Sequence, residues 1–268
     1  MNPPRRYAGV SVDSPETISA CGYEVTLLTR ACPGREQPNQ DAVLVLAYGA
    51  ETLIAAVADG AGGYPNGDAA SGSALAALHE ACLADTSLAP RAAILNGFEA
   101  AHAAIKARGA GGATTLVAVE LNGTTLRTYH AGDSGVLVAG QRGRVKLQSV
   151  FHSPTGYLVE AGMLDEAEAL HHDQRHEVSN LLGMEPMSVA IGSPLQLAAR
   201  DTVVIASDGL YDNLYVDEIV EAVRKGPLAA CCAALASTAD ARMRAEAGDG
   251  APSKPDDLSV ILLRRARH

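Results

Sequence analysis

Five aspartates recur at one kind of place, where an apolar, strand-like run meets a loop. They are Asp41 in NQDAVLVL, Asp59 in AAVADGAGG, Asp133 in HAGDSGVLV, Asp208 in VVIASDGL and Asp256 in KPDDLSVILL. A carboxylate at the rim of an apolar core is costly unless something neutralises it, and basic residues at matching positions are scarce. Hard divalent cations such as Mg2+ and Mn2+ prefer oxygen ligands and would neutralise several carboxylates at once. Aspartates converging from separate strand ends would hold two such ions, with one carboxylate bridging both. Gly60, directly after Asp59, lets the backbone approach closely, so its carbonyl can join the ligands. Taken singly, each aspartate reads as a turn or helix cap, because Asp-Gly is a common turn pair. Five in this arrangement are better explained by cations.

The elements that must deliver these groups are legible from periodicity. YEVTLLTR (23–30) reads as a strand, and DAVLVLAY (41–48) with ETLIAAVAD (51–59) as a hairpin. Alanine-rich helical spacing covers 67–85 and 90–109, the second opened by Pro90 and stopped by Gly109. Two strands flank Asn122-Gly123, a strong hairpin signal. A strand at 134–139 follows the AGDS turn, and 143–150 closes a meander. Residues 151–199 form an irregular insert with helical pieces near 156–163 and 176–183. A buried strand over 201–208, helices over 216–225 and 228–248, and a last strand over 256–266 complete the chain. Helices do not alternate singly with strands, which favours antiparallel sheets with helices packed outside, an α+β layered fold.

The 268 residues suffice for one large domain, and no linker, repeat or low-complexity stretch divides it. With no tryptophan and two phenylalanines, the core must be built from Val, Leu, Ile and Ala. A formal charge of −10 argues against a dominant nucleic-acid-binding face. The five cysteines form no CxxC pair, which favours a reducing compartment over a disulfide framework. No signal-like segment and no membrane-length apolar window is present, so the expectation is a cytoplasmic protein without a membrane span.

These segments, in this order, resemble the metal-dependent serine/threonine protein phosphatases, the PPM or type 2C family. The resemblance runs from about Arg35 to about Leu263. It is carried by NQDAV (39–43), VADGAGG (57–63) with GDAAS (67–71), GGATTLVAV (111–119), HAGDSGVLV (130–138), GYLVEAGMLDEAEALHH (156–172) with SNLLG (179–183), ASDGLYDNL (206–214) and KPDDLSVILL (254–263). It implies one catalytic domain over 1–268, folded as a four-layer α-β-β-α sandwich of two antiparallel sheets and flanking helices. The insert at about 151–199 is similar to the family's flap.

The resemblance also implies roles. Asp59 bridges two Mg2+ or Mn2+ ions, and the Gly60 carbonyl ligates one of them. Asp208 and Asp256 complete the first ion's shell, Asp41 lies beside the pair, and Asp133 with Asp208 matches a third, weaker ion of bacterial members. The implied reaction is hydrolysis of phosphoserine or phosphothreonine by a water activated between the ions, with Arg35 clamping the phosphate. The implied setting is a bacterial signalling pathway, with a phosphoprotein substrate, an opposing serine/threonine kinase and a monomeric enzyme.

The chain departs from the family pattern at several positions. Gln40 stands where many members have an acid, and Ala61 where animal members have a proposed general-acid histidine. Gly135 replaces an arginine, Phe151 an aspartate, and Asp257 a frequent asparagine. Arg35 sits one residue farther from Asp41 than the family spacing.

Two other readings stay open from the sequence. One is a catalytically weak or inactive phosphoprotein-binding module of the same fold, motivated by Gln40 and the displaced Arg35. The other is a hydrolase of small phosphoesters, against which the flap-like insert counts. The histidines of HHDQRH (171–176) read as a solvated face in preference to a zinc site, for want of nearby cysteines. His130 reads as a packed core residue, and His152 lies near the entrance of the expected cleft.

Overall fold

The structure is a computed structural model; it describes residues 3–266 apart from 62, 65, 110 and 245–249. The chain begins with strands β1 (Arg5–Ala8), β2 (Val12–Ala20), β3 (Tyr23–Arg30), β4 (Asp41–Tyr48) and β5 (Thr52–Asp59), followed by helices α1 (Gly67–Ala84) and α2 (Pro90–Ala107). Strands β6 (Leu116–Asn122), β7 (Thr125–Ala131), β8 (Gly135–Ala139) and β9 (Val145–Gln148) come next, then short helices α3 (Pro154–Glu160) and α4 (Glu166–Ala169). Two-residue strands β10 (Ala190–Ile191) and β11 (Leu195–Gln196) precede β12 (Thr202–Ala206). The chain ends with α5 (Asp208–Tyr211), α6 (Val216–Val223), α7 (Leu228–Arg244) and β13 (Leu258–Arg265).

One sheet runs β1-β4-β5-β6-β7-β10, with β11 also on β7; the other runs β2-β3-β13-β12-β8-β9. Their pairings are antiparallel. Helices α1 and α2 cover the first sheet, and α5, α6 and α7 the second. Side-chain alternation explains why the strands read as unbroken apolar runs. In β4 and β5, Ala42, Leu44, Ile54 and Ala56 face the helices, while Val43, Val45, Leu53 and Val57 face the other sheet. In β12 and β13, Val204, Leu262 and Val260 face α7, while Val203, Ile205, Ile261 and Leu263 fill the space between the sheets. Both faces of each sheet are therefore buried, at about 1.5–3 kcal/mol for each large side chain removed from water. The result is the expected α+β, four-layer α-β-β-α sandwich.

Several details differ from the sequence expectation. The strands after Asn122-Gly123 are not one meander: β7 belongs to the first sheet and β8 to the second. The crossing is made at the Gly-Asp-Ser turn, where Gly132 has φ 108°. Residues 176–183 are not helical, because Leu182 exchanges backbone hydrogen bonds with Thr114 (2.9 and 3.2 Å), which holds them extended. Asp208 opens the one-turn α5 instead of ending the strand. The last strand starts at Leu258, two residues later than expected. The expected end of the 228–248 helix, beyond Arg244, lies outside the described residues. β1 and β2 are additions; β2 is a half-exposed strand at a sheet edge, irregular between Val12 and Glu16, and its polar sequence hides it. Among the described residues, no helix is long and apolar enough to cross a membrane.

Candidate metal centre

The space between the sheets is apolar along most of its length and changes character at one end. Following each strand's inward face by one more alternation, Val43 gives way to Asp41, Val57 to Asp59 and Val117 to Thr115 in the first sheet. In the second, Val136 gives way to Ser134, Ile205 to Ser207, Ile261 to Ser259 and Leu27 to Thr29. The period of two that builds the core thus delivers a layer of hydroxyls and carboxylates at its rim. Two bonds in this layer tie the sheets together. Ser207 Oγ donates to Asp41 Oδ2 at 2.7 Å, and the Thr115 and Ser134 hydroxyls meet at 2.7 Å. Thr115 Oγ1 also accepts from the Asp59 amide (3.0 Å), and Ser259 Oγ donates to Thr29 (2.8 Å). Sequence reasoning found the two aspartates but missed the hydroxyls. The missed signal was the parity itself, each hydroxyl lying two residues beyond an inward apolar side chain.

Asp41 and Asp59 are direct partners in the β4–β5 register. Asp208, which follows β12 of the second sheet, acts on Asp59 through its charge. Burial raises the Asp59 carboxyl well above the ordinary range, and the charges of Asp208, Asp41 and Asp256 raise it further. Asp41 is raised by its complete burial and then by Asp257. Asp133 is raised by burial and then by Asp208. Asp256 is pushed up to about 7 by burial, with the Asp208 charge adding and Lys254 opposing. The five expected aspartates thus meet electrostatically. The raised proton affinity of Asp41, Asp59, Asp133 and Asp256 marks a cluster short of positive charge. Among the described residues three buried carboxylate oxygens, Asp41 Oδ1, Asp208 Oδ1 and Asp212 Oδ2, have no hydrogen-bond donor.

One cation does stand in the cluster, contrary to the expected scarcity of basic partners. Lys254 Nζ bonds Asp208 Oδ2 and lies 2.8 Å from Asp212 Oδ2 and 3.3 Å from Asp256 Oδ2. Burial disfavours the Asp208 charge, but Lys254, Asp59 and the Gly209 amide together leave that carboxyl below its ordinary value. Asp212, which the sequence analysis passed over, is pushed up to about 6 by burial against the pull of Lys254. Neither residue follows a strand directly, which is why a search at strand ends did not find them.

Gly60 forms a bridge with Thr114, and its amide donates to the Gln40 carbonyl (3.1 Å). A Cβ there would lie 2.3 Å from the Gly67 carbonyl oxygen, so the bare turn admits the start of α1 against the strand end. Arg35 is exposed at the rim, its Nη2 donating to the Pro255 carbonyl at 3.3 Å, beside Asp256. Asp257 is a clasp: its two oxygens accept the Cys32 and Gln40 amides, each at 2.6 Å. It thereby ties the loop carrying Arg35 to the start of β13.

Two departures from the family pattern prove to be one. A Cβ on Gly135 would lie 2.4 Å from Phe151 Cε1, so the ring at 151 occupies the space of a side chain at 135. Phe151 then packs against Tyr211 at 5.1 Å between centroids. Both line a cleft of about 890 Å³, bounded by α3, α4 and α6, whose floor includes Asp133, Asp208 and Asp212. His152 is not turned toward this cleft as a substrate contact. It is buried, stacks on His130 at 4.5 Å, and accepts the Gly132 amide on Nδ1 (3.2 Å), supporting the turn that carries Asp133. The exposed HHDQRH segment contributes Arg175, whose Nη2 donates to the Ser253 carbonyl (2.9 Å) next to Lys254.

The donor set is all oxygen, anionic and partly without donors, which suits hard divalent ions. Among the described residues, no three His, Cys, Asp or Glu side chains stand ready around one ion position. The Lys254 ammonium bonds Asp208 and pairs with Asp212 and Asp256, so it competes with an ion for their oxygens.

The family model for Protein phosphatase 2C matches residues 30–247. Over 108 residues the chain is 35% identical to a 2C-type protein phosphatase of Streptococcus pyogenes, covering 40% of this chain and 43% of that protein. Over 173 residues it is 31% identical to the protein phosphatase PTC7 homolog fig of Drosophila grimshawi, covering 55% and 52%. The chain thus spans about half the length of the curated relatives it matches. Among solved structures it is similar to the serine/threonine phosphatase of S. agalactiae, with 27% identity and TM-score 0.75 over 91% of this chain and 100% of that one. It is also similar to the phosphatase MsPP of Mycobacterium smegmatis, with 27% identity and TM-score 0.72 over 90% and 98%. With the sandwich, the ordered motifs and a family match over residues 30–247, this chain belongs to the protein phosphatase 2C family.

Proposed function

We propose that the chain is a metal-dependent phosphoprotein phosphatase acting on phosphoserine and phosphothreonine. The observation that carries this reading is the gathering of Asp41, Asp59, Asp208 and Asp256 at the polar end of the inter-sheet core, Asp41 in register with Asp59 and the charges of Asp208, Asp41 and Asp256 acting on the Asp59 carboxyl. In this reading Asp59, Asp41, Asp208, Asp256 and the Gly60 carbonyl would hold two divalent ions. Bound there, two Mg2+ or Mn2+ ions supply a nucleophilic water near neutral pH and offset charge on the phosphoryl oxygens. The PstP catalytic domain, whose fold this chain shares at TM-score 0.68, has been solved with two manganese ions. Arg35, tethered to Pro255 beside Asp256, orients the phosphate with its fork of donors. The cleft under α3 and α4 accepts the protein segment that carries the phosphate. The partner reaction is that of a serine/threonine kinase, and the five unpaired cysteines suit a reducing, cytoplasmic setting.

A second reading, a phosphoprotein-binding module with little or no turnover, is favoured by one observation. The Lys254 ammonium among Asp208, Asp212 and Asp256 leaves less negative charge for ions. Hydrolysis of p-nitrophenyl phosphate and of a phosphothreonine peptide, with and without Mn2+, separates the two. Manganese-dependent turnover that is lost in Asp59→Asn supports the enzyme. Folded wild-type protein that binds the phosphopeptide without turnover supports the module, and activity undiminished in Asp59→Asn overturns the assignment of the centre.

A further inference from the structure

Lys254 is held as a fixed part of the centre and not as a wandering surface side chain. Its amide donates to Asn213 Oδ1 at 2.8 Å, and its carbonyl accepts from Asn213 Nδ2 at 2.9 Å. Asn213 is fully buried, and the same Nδ2 also donates to the Gly209 carbonyl (2.9 Å), next to Asp208. The backbone at 254 is therefore locked to the helix turn that carries Asp208 and Asp212. On the outer side Arg175 grips the Ser253 carbonyl. The side chain is 16% exposed and ends among three carboxylates from two segments. Its charge also acts on Asp133. Asp133, Asp208 and Asp212 together line the floor of the cleft. The ammonium thus meets Asp208 from the side of Asp212 and Asp256, while the Asp59 carboxyl, at the end of β5 in the first sheet, feels the Asp208 charge.

We propose that Lys254 is a built-in monovalent cation that takes the place of a further divalent ion on the Asp133–Asp208–Asp212 side, so that the centre is completed by two ions and one ammonium. The inference rests on the metal-dependent reading above and replaces the third ion that the family resemblance implies. A tethered ammonium neutralises at no cost in association entropy, and it partly offsets Asp133, Asp208, Asp212 and Asp256 even without ions. It cannot polarise a ligand as a divalent ion does, so its role is to position Asp208 and Asp256 and to hold the outer site closed to metal.

The test counts manganese ions bound per chain by equilibrium dialysis and follows metal-free thermal unfolding, in wild type, Lys254→Met and Lys254→Arg. The expected result is two ions in wild type and in Lys254→Arg. Lys254→Met takes up a third ion, with at least tenfold tighter uptake than any third equivalent on wild type. Metal-free Lys254→Met should also unfold at a lower temperature than wild type, and saturating manganese should close most of that gap. If Lys254→Met does not fold, Lys254→Gln is read in the same way. Two ions in wild type and two in Lys254→Met, with equal metal-free unfolding, overturn the role of Lys254 and leave the metal centre standing. Three ions in wild type also overturn it. Wild-type protein that binds no manganese removes the metal-dependent reading and this inference with it.

Discussion

Asp41 and Asp59 face each other in register across β4 and β5, at the open end of a hairpin whose next inward pair is Val43 and Val57. Two carboxylates paired directly across antiparallel strands repel each other, and here they sit at the end of an apolar layer. The site is therefore destabilising on its own, in a way that a bound cation would relieve.

That destabilisation has a sign that can be measured. Asp59 in the folded protein keeps its proton to a pH well above its ordinary value of 3.8. The native state then binds more protons than the unfolded state, so the stability of the metal-free protein falls as pH rises above about 4 through the raised value. Asp59→Asn should flatten this dependence and melt higher than wild type in EDTA at pH 8. Added Mn2+ should raise the melting temperature of wild type and leave Asp59→Asn nearly unchanged. Thermal unfolding with and without metal checks both halves; a metal-free variant less stable than wild type at pH 8 would contradict the first.

Ser207 carries a link between the sheets through its bond to Asp41. Ser207→Ala leaves a fully buried carboxylate oxygen without its donor and should cost about 1–3 kcal/mol in the metal-free protein, read by urea denaturation. Ser207→Thr should recover most of the loss by keeping the hydroxyl.

The Gly135 and Phe151 pair should behave as one unit. Gly135→Ala drives a Cβ into the ring and should destabilise by about 1–3 kcal/mol. In the background of Phe151→Leu the same substitution should cost much less, giving a double-mutant coupling energy well above the scatter of independent sites. Additive effects would show that the ring does not fill the space left at 135.

His152 titrates in the opposite sense to the carboxylates. Burial and then the neighbouring His130 push it down to about 4, from an ordinary 6.5. The unfolded chain takes up this proton first as pH falls, so the contribution of neutral His152 is present above 6.5 and is lost down to about 4. His152→Asn, which retains an acceptor for the Gly132 amide, should remove roughly 2 kcal/mol of that pH dependence. The unfolding free energies of the two proteins, compared at pH 7 and pH 4.5, measure it.

Much of this fold was legible because alternation and apolar length agree in β3, β4, β5, β12 and β13, which are buried on both faces. The strand-end aspartates were legible for a related reason: a carboxylate directly after such a run contradicts its surroundings. Thr29, Thr115, Ser134, Ser207 and Ser259 contradict nothing, since a serine or threonine suits both a strand and a loop, so the polar layer they form was invisible one residue at a time. Lys254 was missed because its place is set by Asn213, 41 residues earlier, and no local pattern encodes that clamp. The extended 179–183 stretch reads as helical by its leucines. Its conformation is decided instead by pairing with Thr114 and by Asn180, which bonds both the amide and the carbonyl of Ser188.

The most direct measurement is a crystal structure of the manganese-soaked protein with anomalous scattering recorded at the manganese edge. Two peaks should lie about 3.5–4 Å apart, as in two-metal sites generally, with Asp59 between them and with Asp208 and Asp256 around the first. Lys254 should remain paired with Asp208 and Asp212. Peaks located elsewhere, or no bound manganese while the five aspartates keep separate water-filled surroundings, would contradict the account.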